Sequence, residues 1–402
     1  MKTLFINTLR DHLQRRKTVI SSVDWDELFR LSQCHQVTGI IYHQCKDIIP
    51  SEKASDFERI YAASLFYYAN RVKAMNLISR LLADIPFFSV KGLEVAQYYP
   101  LPALRTMGDN DVVVEPGRLS EAVNVLKKHG FVQSPNPDES NEHVWSCEYK
   151  GMHFEFHDRL TEKDARTAEQ QSFFGNFMPY VKENRLDWNY HFVFLLMHLR
   201  KHFMNSGVGL RQFMDIAIVA KGREDLDWDW IEAKLRELKL DKFAHSCYSL
   251  IDDWFGIKAP VQFERIDAEL TEEITKKILN NGVFGFNNEE NRDNRISNVL
   301  ILSGDSILKN RITFFIGKIF PDYEYMKGYP SCGFLAGRPY LLPIAWIRRF
   351  IYILGKHDHI DRSRTITGTF KSTSDLEKRK AMLEQMGLLE GQNSHSGNGD
   401  SD

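Results

Sequence analysis

Cysteine is scarce in this chain and carries no pattern. Cys34, Cys45, Cys147, Cys247 and Cys332 are scattered, odd in number and never in CxxC spacing. That argues against both a disulfide framework and a cysteine zinc site, leaving small thiols in a reducing compartment. A charge excess of one sign is missing too: 52 basic against 54 acidic residues leave a net charge of -2. Bulk electrostatic binding to nucleic acid therefore has no support, although a local basic patch stays open. No long apolar run exists. The most apolar late stretch, residues 340–354, is broken by Pro343 and Arg348-Arg349 and is too short to span a bilayer. The N-terminal MKTLFINTLRDHLQRRK has no uninterrupted apolar core and no small-residue cleavage site, so no signal peptide is expected and the chain is placed in the cytoplasm. Gly282 to Gly285 lacks the Gly-Lys-Ser/Thr ending of a phosphate loop. His198 and His202 share a helix face at i and i+4, but Leu199 stands where a zinc protease needs its glutamate.

What is present is a chain of 402 residues, 43% hydrophobic and 26% charged, enough for two or three domains with real cores. Residues 1–84 read as helical, with Asp24 as an N-cap and an apolar stripe over residues 55–83. At Pro86 the periodicity changes. Residues 87–90 read as a strand ending at the Lys91-Gly92 turn, and residues 93–99 as one or two helical turns. Pro100 and Pro102 then predict an extended connection into Asp109-Asn110-Asp111-Val112-Val113-Val114. Residues 118–129 predict a helix closed by Gly130, followed by a strand at Phe131-Val132 and a loop over 134–142. Residues 143–149 and 152–157, joined by Lys150-Gly151, have the spacing of a two-residue hairpin.

Two strands of this region carry carboxylates. Alternation puts Asp109 and Asp111 on one face, about 6.5–7 Å apart along the backbone. In the hairpin Met152, Phe154 and Phe156 alternate with His153, Glu155 and His157, so Glu155 sits between two imidazoles on the polar face. Three carboxylates on adjacent strands suit two Mg²⁺ ions that bridge a triphosphate and an attacking hydroxyl.

The order Val90-Lys91-Gly92, Tyr99-Pro100, Arg105-x-x-x-Asp109-x-Asp111, Gly130-Phe131 and Glu155-x-His157 resembles an uncharacterised bacterial nucleotidyltransferase family. Its signature runs LKG, YP, R, D-x-D, G-[YF], E-x-H, within the superfamily that includes DNA polymerase beta. Asp24-Trp25, His198 to His202 and Gly209 to Asp215 are similar to its helical segments, over roughly residues 20–255. The resemblance implies an α+β fold with a small mixed β-sheet flanked by an N-terminal helical segment and a larger C-terminal helical region. It implies Mg²⁺ (or Mn²⁺) and an NTP as substrate, with the acceptor a small molecule, protein or RNA. Asp109 and Asp111 would hold the metals, and Glu155 would complete the second site and act as, or orient, the base. Gly92 would admit the phosphates, Lys91 and Arg105 would neutralise them, and His198, Lys201, His202, Arg211 and Asp215 would face the nucleotide. For the two histidines, a purely structural place at a helix interface stays open.

The chain departs from the superfamily in two places. Lys91-Gly92 replaces the usual Gly-Ser, and Asn110 stands between the aspartates where an apolar residue is usual. A buried Asn needs hydrogen-bond partners, so either the strand begins only at Val112 or the site is locally unusual. The expected domains are 1–84 (helical), 85–160 (nucleotidyltransferase core), 161–295 (helical) and 296–390 (C-terminal helical subdomain), with a mobile loop or boundary over 280–291 and a disordered tail at 391–402. The basic cluster from Lys356 to Lys380 reads as a solvated helix face. Three alternatives to catalysis by nucleotidyl transfer remain: a degenerate nucleotide-binding or interaction protein of the same fold, a DxD glycosyltransferase using Mn²⁺ and a sugar nucleotide, and a helical interaction protein.

Overall fold

The Asp24 side chain accepts the Glu27 N–H and starts α2 (Trp25–Cys34), the second of four N-terminal helices with α1 (Lys2–Leu13), α3 (Thr38–Cys45) and α4 (Ser51–Leu81). In this computed structural model the described residues are 1–20, 22–135, 141–160, 165, 167–205, 207–282, 297, 301, 316–317, 320–327, 332–335, 337–355 and 373–389. Much of the expected 134–142 loop, most of the 280–291 boundary, the basic residues before Thr373 and the 391–402 tail lie outside them.

After α4 the chain forms a five-stranded mixed sheet: β1 (Phe87–Ser89), β2 (Asp111–Val114), β3 (Val132–Gln133), β4 (Val144–Tyr149) and β5 (Met152–His157), in spatial order β1-β2-β5-β4-β3. Only β2 and β5 run parallel; the other pairs are antiparallel. The Lys150-Gly151 turn has positive φ at both residues (50° and 72°), which matches the twist of a tight hairpin and fixes the β4/β5 register. Between β1 and β2 lie α5 (Gly92–Ala96) and a 3₁₀ turn over Pro102–Leu104 where an extended connection was expected. Proline suits this turn, because its fixed φ is helical and its missing N–H falls where no donor is needed.

One sheet face is apolar. Val112, Val114, Phe154, Phe156, Trp145 and Cys147 pack with Ala74 and Ile78 of α4 and with Leu119, Ala122 and Leu126 of α6 (Leu119–Lys127). This is ordinary period-2 burial against two amphipathic helices. Beyond β5 follow α7 (Ala168–Gly175), a short hairpin of β6 (Val181–Lys182) and β7 (Arg185–Leu186), then α8 (Trp188–Asn205), α9 (Leu210–Gly222), α10 (Trp228–Glu237), α11 (Asp241–Phe255) and α12 (Ala268–Asn281). The architecture is mixed α+β, with a small mixed sheet between N-terminal helices and a larger helical region.

The chain divides into two compact units, residues 1–286 with 385–391, and 287–384 with 392–402. In the second, Met326, Cys332, Leu335 and Ala345 form a small core, and the Trp346 indole donates to the Pro321 carbonyl. No helix among the described residues is long and apolar enough to cross a membrane.

His12 and His35 are fully buried in the first unit. Burial pushes His12 down to about 3, helped by His43 and Arg15, and pushes His35 down to about 4. Both imidazoles are therefore neutral when folded, and the His35 Nδ1 accepts the Leu210 N–H. Because the folded values lie below the unfolded 6.5, their contribution is intact above pH 6.5 and is lost as pH falls from there towards 4. At pH 5 each should cost about 2 kcal/mol of stability. Urea unfolding at pH 7.5 and pH 5 should show this drop, shallower in His35→Asn; parallel pH slopes for the two proteins would exclude it for His35.

Candidate functional site

Parallel pairing of β2 with β5 sets Asp111 opposite Glu155 and Val113 opposite His157. Because Val112, Val114, Phe154 and Phe156 fill the core face, Asp111, Glu155 and His157 emerge together on the other. His157 Nε2 lies 3.5 Å from Asp111 Oδ1 and 3.4 Å from Glu155 Oε2, while His153 Nε2 lies 3.7 Å from Glu155 Oε1. Candidate ligand atoms of Asp111, Glu155 and His157 all fall within 4.8 Å of one another, and no other such group occurs among the described residues.

The His157 Nε2 is buried and makes no hydrogen bond. An imidazole nitrogen held at ion-pair range of two carboxylates, without a close hydrogen bond to either, belongs to a donor set that fits a divalent cation once its proton is displaced. With the three side chains alone, burial works against a charge on His157, but Asp111 and then Glu155 outweigh it and raise its pKa to about 9. Burial would likewise raise the Asp111 carboxyl, yet the Lys91 ammonium and His157 hold it well below the usual carboxylate range.

Lys91 reaches Asp111 from a strained backbone. Its φ of 59° and ψ of -121° are unusual for a residue with a Cβ, a conformation that costs about 1–3 kcal/mol. His191 of α8 holds it, accepting the Lys91 N–H at Nε2 (3.1 Å); burial, Lys91 and Arg105 keep that imidazole neutral, with its pKa pushed down to about 3. The Lys91 Nζ sits 2.9 Å from Asp111 Oδ2 and 3.5 Å from His198 Nε2, and His198 in turn lies 2.9 Å from His202. Gly92, at φ 26°, opens α5 beside them.

Asp109 sits on the turn before β2, because the strand begins at Asp111 and the alternation argument does not reach it. It is exposed and outside the Asp111–Glu155–His157 group. Asn110 is buried with its needs met: its amide Nδ2 donates to the His153 carbonyl (2.7 Å) and its own carbonyl accepts the Glu155 N–H (3.0 Å). Two buried guanidiniums grip the turn. Arg71 of α4 donates from Nη2 to the carbonyls of Met107 (2.7 Å) and Gly108 (2.8 Å), and Arg211 of α9 donates to that of Thr106 (2.8 Å). Arg105 does not face the carboxylates' side alone; its Nε and Nη2 clasp both oxygens of Asp215 at 2.8 and 2.7 Å, and the Tyr99 hydroxyl donates to the same carboxylate (2.7 Å).

A cavity of about 90 Å³ gathers most of the expected residues: Lys91, Gly92, Arg105, Asp109, Asp111, His198, His202, Arg211 and Asp215 all line it. Glu155 and Lys201 do not. Sequence reasoning singled out neither His157 as a ligand, nor His191, nor Arg71. The Glu155-x-His157 spacing carried the signal for the first; the others sit in aromatic helices whose pattern reads as packing.

Residues 21–256, more than half the chain, match the model of a family described as uncharacterised nucleotidyltransferase. No curated protein and no solved structure matches the chain.

The Arg105–Asp215 pair is only 4% and 6% exposed. Removing one partner of such a pair strands a buried charge, at a cost of about 3–5 kcal/mol. Asp215→Ala should lower the unfolding free energy by that amount in urea, and Arg105→Leu/Asp215→Leu by clearly less than the sum of its single variants; additive losses would contradict the coupling.

Proposed function

We propose, from the premise that the chain belongs to the uncharacterised nucleotidyltransferase family, that it transfers a nucleoside monophosphate from an NTP to a hydroxyl or similar acceptor. The acceptor oxygen forms a bond to the α-phosphorus, the α–β bridging P–O bond breaks, and pyrophosphate leaves. The observation that supports this most is the cluster of Asp111, Glu155 and His157, whose candidate ligand atoms lie within 4.8 Å of one another. Mg²⁺ or Mn²⁺ held by these residues would polarise the phosphate oxygens and lower the pKa of the acceptor hydroxyl.

The chain's own residues then have distinct tasks. Asp111 is the central ligand, and Asp109, which lines the same cavity, would add a third carboxylate to Asp111 and Glu155. Glu155 takes the proton from the acceptor or orients it. Lys91 and Arg211 supply positive charge for the triphosphate, with His198 and His202 as hydrogen-bonding imidazoles on the same wall, Lys201 as a further cation of α8, and Gly92 admitting the phosphates past a turn without a side chain. Arg105 and Asp215 hold each other and fix the wall in place. Most of the catalytic advantage would come from position and electrostatics.

One observation favours a second reading. The Lys91 ammonium already sits 2.9 Å from Asp111, where it can serve as the carboxylate's resident counter-charge in a nucleotide-binding protein without turnover. Isothermal titration with ATP, GTP, CTP and UTP separates the two. At least one NTP should bind in Mg²⁺ and about tenfold or more weakly in EDTA, with Asp111→Asn and Glu155→Gln losing the difference. Equal binding with and without Mg²⁺ would remove the metal-dependent reading and leave the second. Transfer of label from the α-labelled NTP to protein, RNA or small molecules then identifies the acceptor class.

A further inference from the structure

The turn before β2 has a cavity on each side. The first is the carboxylate cavity. The second, of about 230 Å³, lies along α4 and shares Arg105 and Met107 with the first; its remaining lining includes Arg59, Ala63, Tyr67, Tyr68 and Arg71.

Arg71 is the unusual member of this lining. Its side chain belongs to a residue 8% exposed, yet no carboxylate lies within ion-pair distance among the described residues. Its Nη2 serves the Met107 and Gly108 carbonyls, whereas its Nε is buried without a hydrogen-bond partner. Burial lowers its pKa, and Asp109 is the strongest acidic influence opposing that effect. A buried guanidinium with carbonyl partners alone is an expensive arrangement that an anion in the adjoining cavity would relieve. Aromatic residues complete the picture. Phe66 and Tyr67, 64% and 49% exposed with ring centroids 5.9 Å apart, are the exposed aromatics among the described residues of the first unit. Of these only Tyr67 lines the cavity, together with Tyr68, so two aromatic rings border it.

We propose that this α4 cavity is the acceptor subsite, and that it takes a ring-bearing anion, a carboxylate or phosphate ester, with the anionic group on Arg71 and the ring against Tyr67 and Tyr68. The assignment to the acceptor rests on the nucleotidyl-transfer reading; the anion site itself does not. The Arg71 contacts to the Met107 and Gly108 carbonyls tie its occupant to the turn that presents Asp109.

Phenyl phosphate and benzoate, with benzyl alcohol as the neutral control, are suitable probes for ligand-observed NMR on the full chain. Both anions should bind saturably and the alcohol should not. Arg71→Gln should weaken them about tenfold or more. Since that variant also removes two bonds to the turn, Ala63→Phe provides the second arm, filling the cavity from α4 while leaving Arg71 intact; it should produce the same loss with unchanged thermal unfolding. Asp111→Asn should leave anion binding unaltered, and Mg²⁺–NTP should not displace the probes. Anion binding no tighter than the alcohol's, or insensitive to Ala63→Phe, would overturn the site. Displacement by Mg²⁺–NTP would give the cavity to the nucleotide and overturn the acceptor assignment. Anion binding that holds in a protein showing no metal-dependent NTP binding would support the site and sink nucleotidyl transfer instead.

Discussion

Everything at the centre of this protein depends on one parallel strand pairing, β2 against β5 in the register that sets Asp111 opposite Glu155. A slip of β2 by one residue against β5 would turn Asp111 into the core and Val112 out of it, so the apolar face enforces the geometry of the polar one. The register is doubly anchored at its start, where Asn110 exchanges hydrogen bonds with His153 and Glu155. The residue that breaks the usual apolar pattern is thus the one that locks the two strands together.

Around that pairing, buried charge is arranged by matching rather than avoided. Asp111 is balanced by Lys91 and His157, and Asp215 by Arg105 with a third bond from Tyr99. Arg71 and Arg211 each aim an Nη donor at consecutive carbonyls of the Asp109 turn, which replaces the rigidity of a strand with that of side-chain bonds. The strain stored at Lys91 has the same logic. Its backbone is held by His191 so that its ammonium can reach Asp111 and His198 of α8.

Much of this was legible residue by residue. The Asp24 cap, the Lys150-Gly151 hairpin and the alternation of Met152, Phe154 and Phe156 with His153, Glu155 and His157 all follow from local rules, and the structure has each of them. Strand alternation does not extend to Asp109, because period-2 geometry holds only inside a strand and β2 starts two residues later, although Asp109 and Asp111 line the same cavity. Arg71 and His191 gave no signal, since a polar residue within a long amphipathic or aromatic helix looks the same whether it meets solvent or a turn distant in sequence.

The sequence alone determined the strands and main helices around the sheet, though not the 3₁₀ turn at Pro102–Leu104 or the β6/β7 hairpin, that one sheet face is apolar, and that two aspartates and a glutamate belong to the same region. Those are consequences of short-range propensity and of period-2 and period-3.6 burial, which are written along the chain. Tertiary structure decided which groups meet: His157 rather than Asp109 beside Asp111 and Glu155, Asp215 against Arg105, and Arg71 beneath the turn. These contacts join residues up to 110 positions apart, as for Arg105 and Asp215, and are set by how helices pack across the sheet, a property of the assembled layers that no local pattern encodes.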